Sequence, residues 1–160
     1  MRSELLITTN GDNENVLKTV NDVFIEYRDT MDCYVADLRD LDFRSQCLSV
    51  FDYVVDNVRY KEDEGLNQWI KTPQCTLREG FADCKSMAIL VASCLWCLGV
   101  PEIRLRFVSF NSYPSYSHVY VVATKEGESI VIDPVERVGG KPKFDYASSF
   151  MKNKDFIYYQ

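Results

Sequence analysis

The sequence contains a single histidine, His118, and has no excess of basic residues. Lysine and arginine together number 18, against 24 aspartates and glutamates, which gives a formal net charge of −6 at pH 7. Nucleic-acid-binding proteins carry a basic stripe, and anionic membrane surfaces attract basic proteins, so this acidic balance argues against both partners. With one histidine, a zinc site would also lack ligands beyond the cysteines. We therefore expect no nucleic acid, no membrane, no metal and no other cofactor.

Long apolar runs are also missing. None approaches the roughly 20 residues of a membrane helix. The first residues, MRSELLIT, have only a short apolar patch and an early acid, so no signal peptide is indicated. There is no repeat, low-complexity run or Gly/Ser linker, and 160 residues suit one domain. We expect a single domain over 1–160, with a loose arm at 1–13 and a core at about 14–135. We expect it in the cytoplasm or within a phage particle.

Six cysteines are present, an even number that would suit disulfides in a secreted protein. The chain is long enough for a real core, and several of the cysteines lie within apolar helical patterns. We therefore expect reduced thiols. Cys94 and Cys97 match C-x-x-C, but a redox pair normally begins a helix and this one lies deep inside one. We interpret both as buried, structural and metal-free.

The spacing of apolar residues predicts helices at about 14–38, 42–59 and 84–98. The last is apolar almost throughout, so it should be buried on all sides, with Gly99 ending it. Alternation predicts strands at 103–109, 118–124 and 129–133. Residues 67–72 form either a short helix or an extended segment stopped by Pro73, and the tail from 144 to 160 adds a strand or a short helix. Helices followed by a sheet indicate an α+β domain.

Cys84 is a candidate nucleophile. Asp83 is a good N-cap for the buried helix, which places Cys84 in its first turn. Unpaired backbone N–H groups and the positive end of the helix dipole would favour a thiolate there. The Cys84 N–H could also help to hold a developing oxyanion. The alternative is a cysteine that only packs.

The geometry of a hairpin links His118 to Asp133. If the turn is centred between Glu126 and Gly127, the two residues are diagonal neighbours on one face, about 7–8 Å apart at the backbone. A three-residue loop centred on Glu126 would put them on opposite faces. An aspartate at the end of an apolar strand is hard to explain by packing, whereas it suits a partner that orients a histidine.

Four segments, in this order and spacing, resemble the transglutaminase-like superfamily, a branch of the papain-type cysteine fold. They are 80–86 (GFADCKS), 98–101 (LGVP), 118–121 (HVYV) and 130–134 (IVIDP). The resemblance covers roughly residues 45–135. It implies an α+β papain-like fold in which a helix bearing Cys84 packs on an antiparallel sheet. It also implies that Cys84 is the nucleophile, His118 the general base and acid, and Asp133 its orienting partner.

The segment 67–73 (NQWIKTP) is similar to stand-alone bacterial and bacteriophage members of this superfamily. Relatives often use an upstream glutamine or tryptophan side chain as an oxyanion donor. The resemblance therefore makes Gln68 and Trp69 candidates for this role. Gln74 is a rival candidate, and a tryptophan that only packs is the other alternative.

The expected reaction is acyl transfer at an amide of a protein or peptide substrate. Cys84 attacks the carbonyl, an acyl-thioester forms, and water or an amine resolves it. Water gives a peptidase or amidase, and an amine gives a transglutaminase. The alternative from another class is a non-catalytic module that keeps the fold for binding or for a structural role, for example in a phage particle.

Overall fold

The computed structural model describes residues 4–8, 13–63, 67–111, 115–135 and 141–160. Its helices are α1 (Asn13–Tyr27), α2 (Asp32–Val35), α3 (Phe43–Asn57), α4 (Pro73–Glu79) and α5 (Cys84–Cys97), with 3-10 turns at Arg28–Met31 and Ala36–Leu38. Its strands are β1 (Glu4–Thr8), β2 (Arg59–Tyr60), β3 (Asn67–Lys71), β4 (Phe81–Ala82), β5 (Glu102–Ser109), β6 (His118–Lys125), β7 (Glu128–Ile132) and β8 (Lys152–Tyr159). The α+β class predicted from the sequence is confirmed.

Helix α5 is the centre of the core. All residues at 86–95 are buried, as an apolar surface around the whole helix requires. Helices α1, α3 and α4 and strand β6 supply the packing partners. Gly99 takes a left-handed φ of 78° just beyond the helix, as predicted for its stop. Neither α5 nor any other helix in the described ranges is long and apolar enough to cross a membrane.

Four antiparallel strands form the main sheet, in the order β7-β6-β5-β8. Between β6 and β7 the chain turns through Glu126 and Gly127, whose φ angles are both positive, as a two-residue type I′ turn requires. Thr124 pairs with Ser129 in the resulting ladder. The register predicted from the sequence is therefore confirmed.

The N-terminal segment departs from the prediction of a loose arm at 1–13. Residues Glu4–Thr8 form β1, which pairs antiparallel with the whole of β3. A segment with only three apolar residues in a row gives little sequence signal, and its partner strand lies far along the chain. The rest of the arm, at 1–3 and 9–12, lies outside the described residues. The pairing also decides between a short helix and an extended segment for residues 67–72: the segment is extended.

The helix predicted at 14–38 is interrupted. Helix α1 ends at Tyr27, and the chain continues through two 3-10 turns and the four-residue α2. Met31 and Val35, which lie in this segment of short helical turns, are buried. Contacts at i+3 occur in both α and 3-10 helices, so the apolar spacing alone could not show where the tighter turns begin.

Helix α4 was not predicted. The Thr72 side chain accepts a hydrogen bond from the Cys75 N–H, Pro73 occupies the first turn, and Gly80 ends the helix at a φ of 74°. These are ordinary start and stop residues. Seven residues are too few to show a helical period. The sequence therefore indicates only that Pro73 ends the preceding segment.

The core extends beyond the predicted boundary at about residue 135. Strand β8 pairs along the full length of β5, and Phe156 and Tyr158 pack against the core. The Tyr158 ring centroid lies 4.6 Å from that of Phe24, which is fully buried. The tail thus contributes a strand, one of its two predicted alternatives.

The central position of α5 predicts a large cost for removing volume there. Replacing Leu90, which is fully buried, with alanine should lower the free energy of unfolding by about 2–5 kcal/mol, through lost transfer energy and a residual cavity. The control is Leu48→Ala on α3, a leucine that is 40% exposed and should change stability little. Urea denaturation of both variants measures the difference, and equal losses would contradict this account of the core.

Candidate active site

Cys84 is the first residue of α5, and Asp83 caps the helix as predicted. The Asp83 carboxylate accepts hydrogen bonds from the backbone N–H groups of Lys85 at 3.0 Å and Ser86 at 3.4 Å. These are two of the donors that a helix start leaves without partners. Cys84 therefore lies at the positive end of a well-capped helix.

The resting Cys84 thiol is nonetheless neutral. Burial raises its pKa to about 12, and the Asp83 carboxylate adds to the rise. Lys85 and the backbone N–H of Val119, which donates to the sulfur, lower the pKa but do not offset the burial. The thiolate expected from the helix start is thus wrong for the resting site. The sequence shows the helix start, whereas the enclosure of that first turn depends on the whole fold.

His118 and Asp133 form a buried hydrogen-bonded pair. His118 begins β6, Asp133 follows β7, and His118 Nε2 lies 2.7 Å from Asp133 Oδ2. The other carboxylate oxygen accepts the Val135 N–H at 3.2 Å, which fixes the orientation of the carboxylate. Since Asp133 engages Nε2, Nδ1 is the ring nitrogen available for proton transfer.

Two aromatic rings flank the imidazole. The Phe110 ring stacks on His118 with centroids 6.3 Å apart, and the Tyr120 ring lies tilted at 5.8 Å. Phe110 is itself 37% exposed, whereas His118 is buried. Together with the hydrogen bond from His118 Nε2 to Asp133, the two rings restrict the orientation of the imidazole plane.

One cavity joins the nucleophile candidate to the histidine. Cys84 and His118 both line a cavity of about 260 Å³. The contact of the sulfur with Val119, the residue after His118, places the thiol beside the strand that carries the histidine. Asp133 lies behind the imidazole. The structure thus brings the three predicted residues to one place.

The three oxyanion candidates lie in different surroundings. Gln68 lines the cavity with Cys84. Trp69 points to the other face of β3, is 41% exposed and lines a separate hollow. Gln74 donates through its side-chain amide to the Thr30 carbonyl at 3.2 Å. Of the three, only Gln68 is brought to the thiol.

Residues that sequence reasoning missed hold β3 against the start of α5. Ser86 Oγ accepts the Lys71 N–H at 3.0 Å and donates to the Trp69 carbonyl at 3.4 Å. Asp63 accepts the Trp69 N–H at 2.9 Å and lies 3.6 Å from Lys85 Nζ. These hydrogen bonds and this ion pair connect β3, which carries Gln68, to α5, which carries Cys84. The only sequence signal was a serine and a lysine at the start of an otherwise apolar helix.

The six cysteines all lie in the described ranges and are free thiols, as expected. Cys94 is buried, and burial raises its pKa to about 12. Cys97 is only half-buried and donates to the Arg28 carbonyl at 3.2 Å, so the prediction of full burial is wrong for it. Cys33 is exposed. Within the described residues, no group of three His, Cys, Asp or Glu side chains could hold a metal ion.

The sequence matches no protein-family model and no curated protein. Solved structures do resemble the fold. A candidate protease from Parabacteroides distasonis gives a TM-score of 0.59 at 14% identity, over 77% of this chain and 26% of that one. Legionella pneumophila LapG gives 0.52 at 22% identity, over 82% and 75%, and its calcium-bound form gives 0.53 at 18%, over 80% and 67%.

This chain therefore spans about a quarter of the Parabacteroides chain and most of the LapG chain. At these identities the likeness establishes the fold and not the activity. The fold is the papain-like, transglutaminase-like α+β fold that the sequence motifs indicated.

The Asp83 cap predicts a pH-dependent stability. Burial raises the pKa of Asp83 to about 6, against the opposing charge of Lys85. The folded protein thus holds this proton more tightly than the unfolded chain, in which the pKa is about 4. The contribution of Asp83 to stability must therefore fall as the pH rises from about 4 to about 6. Asn keeps the cap but does not titrate. The Asp83→Asn variant should gain stability relative to wild type across this window.

Denaturant titrations at several pH values test the prediction. The control is Asp42→Asn, which changes the exposed cap of α3. The hydrogen bond from the Ser45 N–H lowers the pKa of Asp42. The contribution of Asp42 is therefore lost as the pH falls, so this variant should lose stability relative to wild type as the pH rises. A difference from wild type that is constant with pH for Asp83→Asn would show that the carboxyl is not perturbed in this way.

Proposed function

We propose that this chain is one catalytic domain, a cysteine-nucleophile enzyme that acts on amide bonds of proteins or peptides. Cys84 is the nucleophile, His118 the general base and acid, and Asp133 the residue that orients His118. One observation carries the proposal: the Cys84 thiol and the buried His118–Asp133 pair meet at a single cavity. The fold, which a candidate protease shares, supports it.

The reaction begins with proton transfer because the thiol is neutral at rest. His118 Nδ1 takes the proton from Sγ as the sulfur attacks the carbonyl carbon, and the imidazolium is stabilised by Asp133. As the tetrahedral intermediate collapses, the C–N bond breaks and His118 returns the proton to the departing amine. An acyl-thioester remains on Cys84. Water or a second amine, deprotonated by His118, then attacks the thioester, and the sulfur leaves and regains a proton.

The oxyanion is held at the start of α5. The Asp83 carboxylate already accepts hydrogen bonds from the backbone N–H groups of Lys85 and Ser86. The first oxyanion donor is therefore the backbone N–H of Cys84. The Gln68 side-chain amide is the second donor, since Gln68 lines the cavity with the thiol. Hydrolysis and transamidation share every step up to the thioester.

The rival function is a non-catalytic module, and one observation favours it. A thiol whose pKa is raised to about 12 is inert unless a base takes its proton. The two functions therefore differ in whether His118 activates Cys84.

Alkylation tests this activation. In a Cys33→Ser background, which removes the exposed thiol, iodoacetamide at neutral pH should label Cys84 before the buried cysteines. The His118→Asn change should slow labelling of Cys84 on the order of a hundredfold, the lower end of what a positioned base contributes. Peptide mass spectrometry locates the label, and Cys84→Ser identifies the signal. An equal rate with and without His118 would favour the non-catalytic module.

The Asp133→Asn variant tests the role of the carboxylate. Asn can still accept the Val135 N–H, so the fold should remain. Its amide would donate to His118 Nε2 and force the proton onto Nδ1, the wrong tautomer for a base. Hydrolysis of p-nitrophenyl acetate should fall by at least about a hundredfold, with alkylation of Cys84 slowed at neutral pH. A thermal melt checks folding, and a well-folded variant with an unchanged pH profile of alkylation would exclude the triad.

A further inference from the structure

The active-site cavity has an apolar wall on one side of Cys84. Val16 and Leu17 from α1, with Phe107 and Tyr116, line this side. The volume, about 260 Å³, is below the ~300–1,000 Å³ of typical small-molecule sites. The rest of the lining is polar and comes from Gln68, Lys85, Ser115, Ser117 and His118. The apolar part of a space of this size fits one apolar side chain of a longer substrate.

A second hollow that adjoins the cavity at Cys84 is acidic. This hollow has a volume of about 180 Å³, also includes Cys84 and is lined by Glu62, Asp63 and Asp83. Among the described residues lining it, Lys85 is the one cation, and this lysine is already paired with Asp63 and Asp83. Lys85 therefore offers no unpaired positive charge to a substrate.

Glu62 is the carboxylate of this hollow that is not paired with Lys85. It is exposed and accepts a hydrogen bond from the Tyr60 hydroxyl at 3.2 Å, a neutral donor. Two lysines that line a neighbouring hollow together with Glu62 have other partners. Lys61 Nζ lies over an aromatic ring at 5.1 Å, and Lys71 Nζ pairs with Glu79 at 3.4 Å. The Glu62 carboxylate is thus available to a cation that enters the hollow.

We propose that the two sides of the cleft bind opposite flanks of an extended polypeptide across the attacked amide. One flank places an apolar side chain in the pocket of Val16, Leu17, Phe107 and Tyr116. The other places a lysine or arginine side chain beside Glu62. This substrate class rests on the proposed function and adds the recognition that selects among amides.

The first experiment measures which peptides wild-type enzyme processes. A peptide library is incubated with the protein, and products are identified by mass spectrometry. The expected products have an apolar residue on one flank of the reacted amide and Lys or Arg on the other. Acylation of Cys84 by p-nitrophenyl acetate, which has no side chains, runs in parallel. Peptide processing without this preference would overturn the substrate class and leave the proposed function standing. Acylation without processing of any peptide would overturn both, because the proposed function is action on peptide amides. No acylation would overturn the proposed function itself.

The second experiment assigns each flank to its residues. The readout is the ratio of kcat/KM for a matched pair of peptides with Lys or Gln at the charged position. Glu62→Gln should lower this ratio about two- to fivefold, the range of an exposed ion pair, and Glu62→Lys should bring it below one. The ratio should also fall with added salt. The control Asp52→Asn, on the exposed face of α3, should leave both ratio and activity unchanged.

The apolar flank has its own variant. Tyr116→Ala should enlarge the pocket and shift the preferred apolar residue towards larger side chains, with the Lys-to-Gln ratio kept. Tyr116 is only partly buried, so the change spares the centre of the core. A ratio unaffected by Glu62→Lys, or an unshifted apolar preference in Tyr116→Ala, would show that these residues do not form the binding flanks.

Discussion

The burial of α5 is the constraint on which the rest of the structure depends. A helix that is apolar around its whole circumference must be covered on every side, and α1, α3, α4 and β6 arrange themselves to do so. Its first turn is where the cover ends, because a capped helix start needs polar partners. Cys84 is therefore held at the boundary between core and cleft. The strand that packs on the helix, β6, begins with His118, so covering the helix also delivers the histidine.

The same burial determines the electrostatics of the site. Enclosing the thiol raises its pKa to about 12, and the nearby carboxylates add to that cost. Lys85 partly compensates, because it stands next to the thiol and pairs with Asp83 and Asp63. A thiol whose pKa is raised in this way stays protonated at neutral pH until a base takes its proton.

Features with a local signal could be predicted from the sequence. The start of α5 followed from Asp83 and the apolar run, and the His118–Asp133 pair followed from counting residues across a two-residue turn. Features set by distant partners could not. The pairing of β1 with β3, the links from Ser86 and the enclosure of Cys84 each depend on segments that are far apart in the chain. The direction of the Cys84 pKa shift could not be predicted for the same reason: a helix start is visible in the sequence, whereas the packing around it is a property of the assembled fold.

The position of β8 has a consequence for how the molecule is made. The chain forms β5, then the β6–β7 hairpin on one edge of it, and only much later the strand that covers the other edge. During synthesis, β5 therefore has a row of unpaired backbone groups and an apolar face until β8 pairs with it. These are the features that lead strands of different molecules to associate. Pairing between segments distant in sequence is also slow. A growing chain carries Cys84, His118 and Asp133 well before the sheet that supports His118 and Asp133 is complete. Its most vulnerable interval is the stretch of translation between Ile132 and Lys152, when a chaperone or rapid elongation would protect it most.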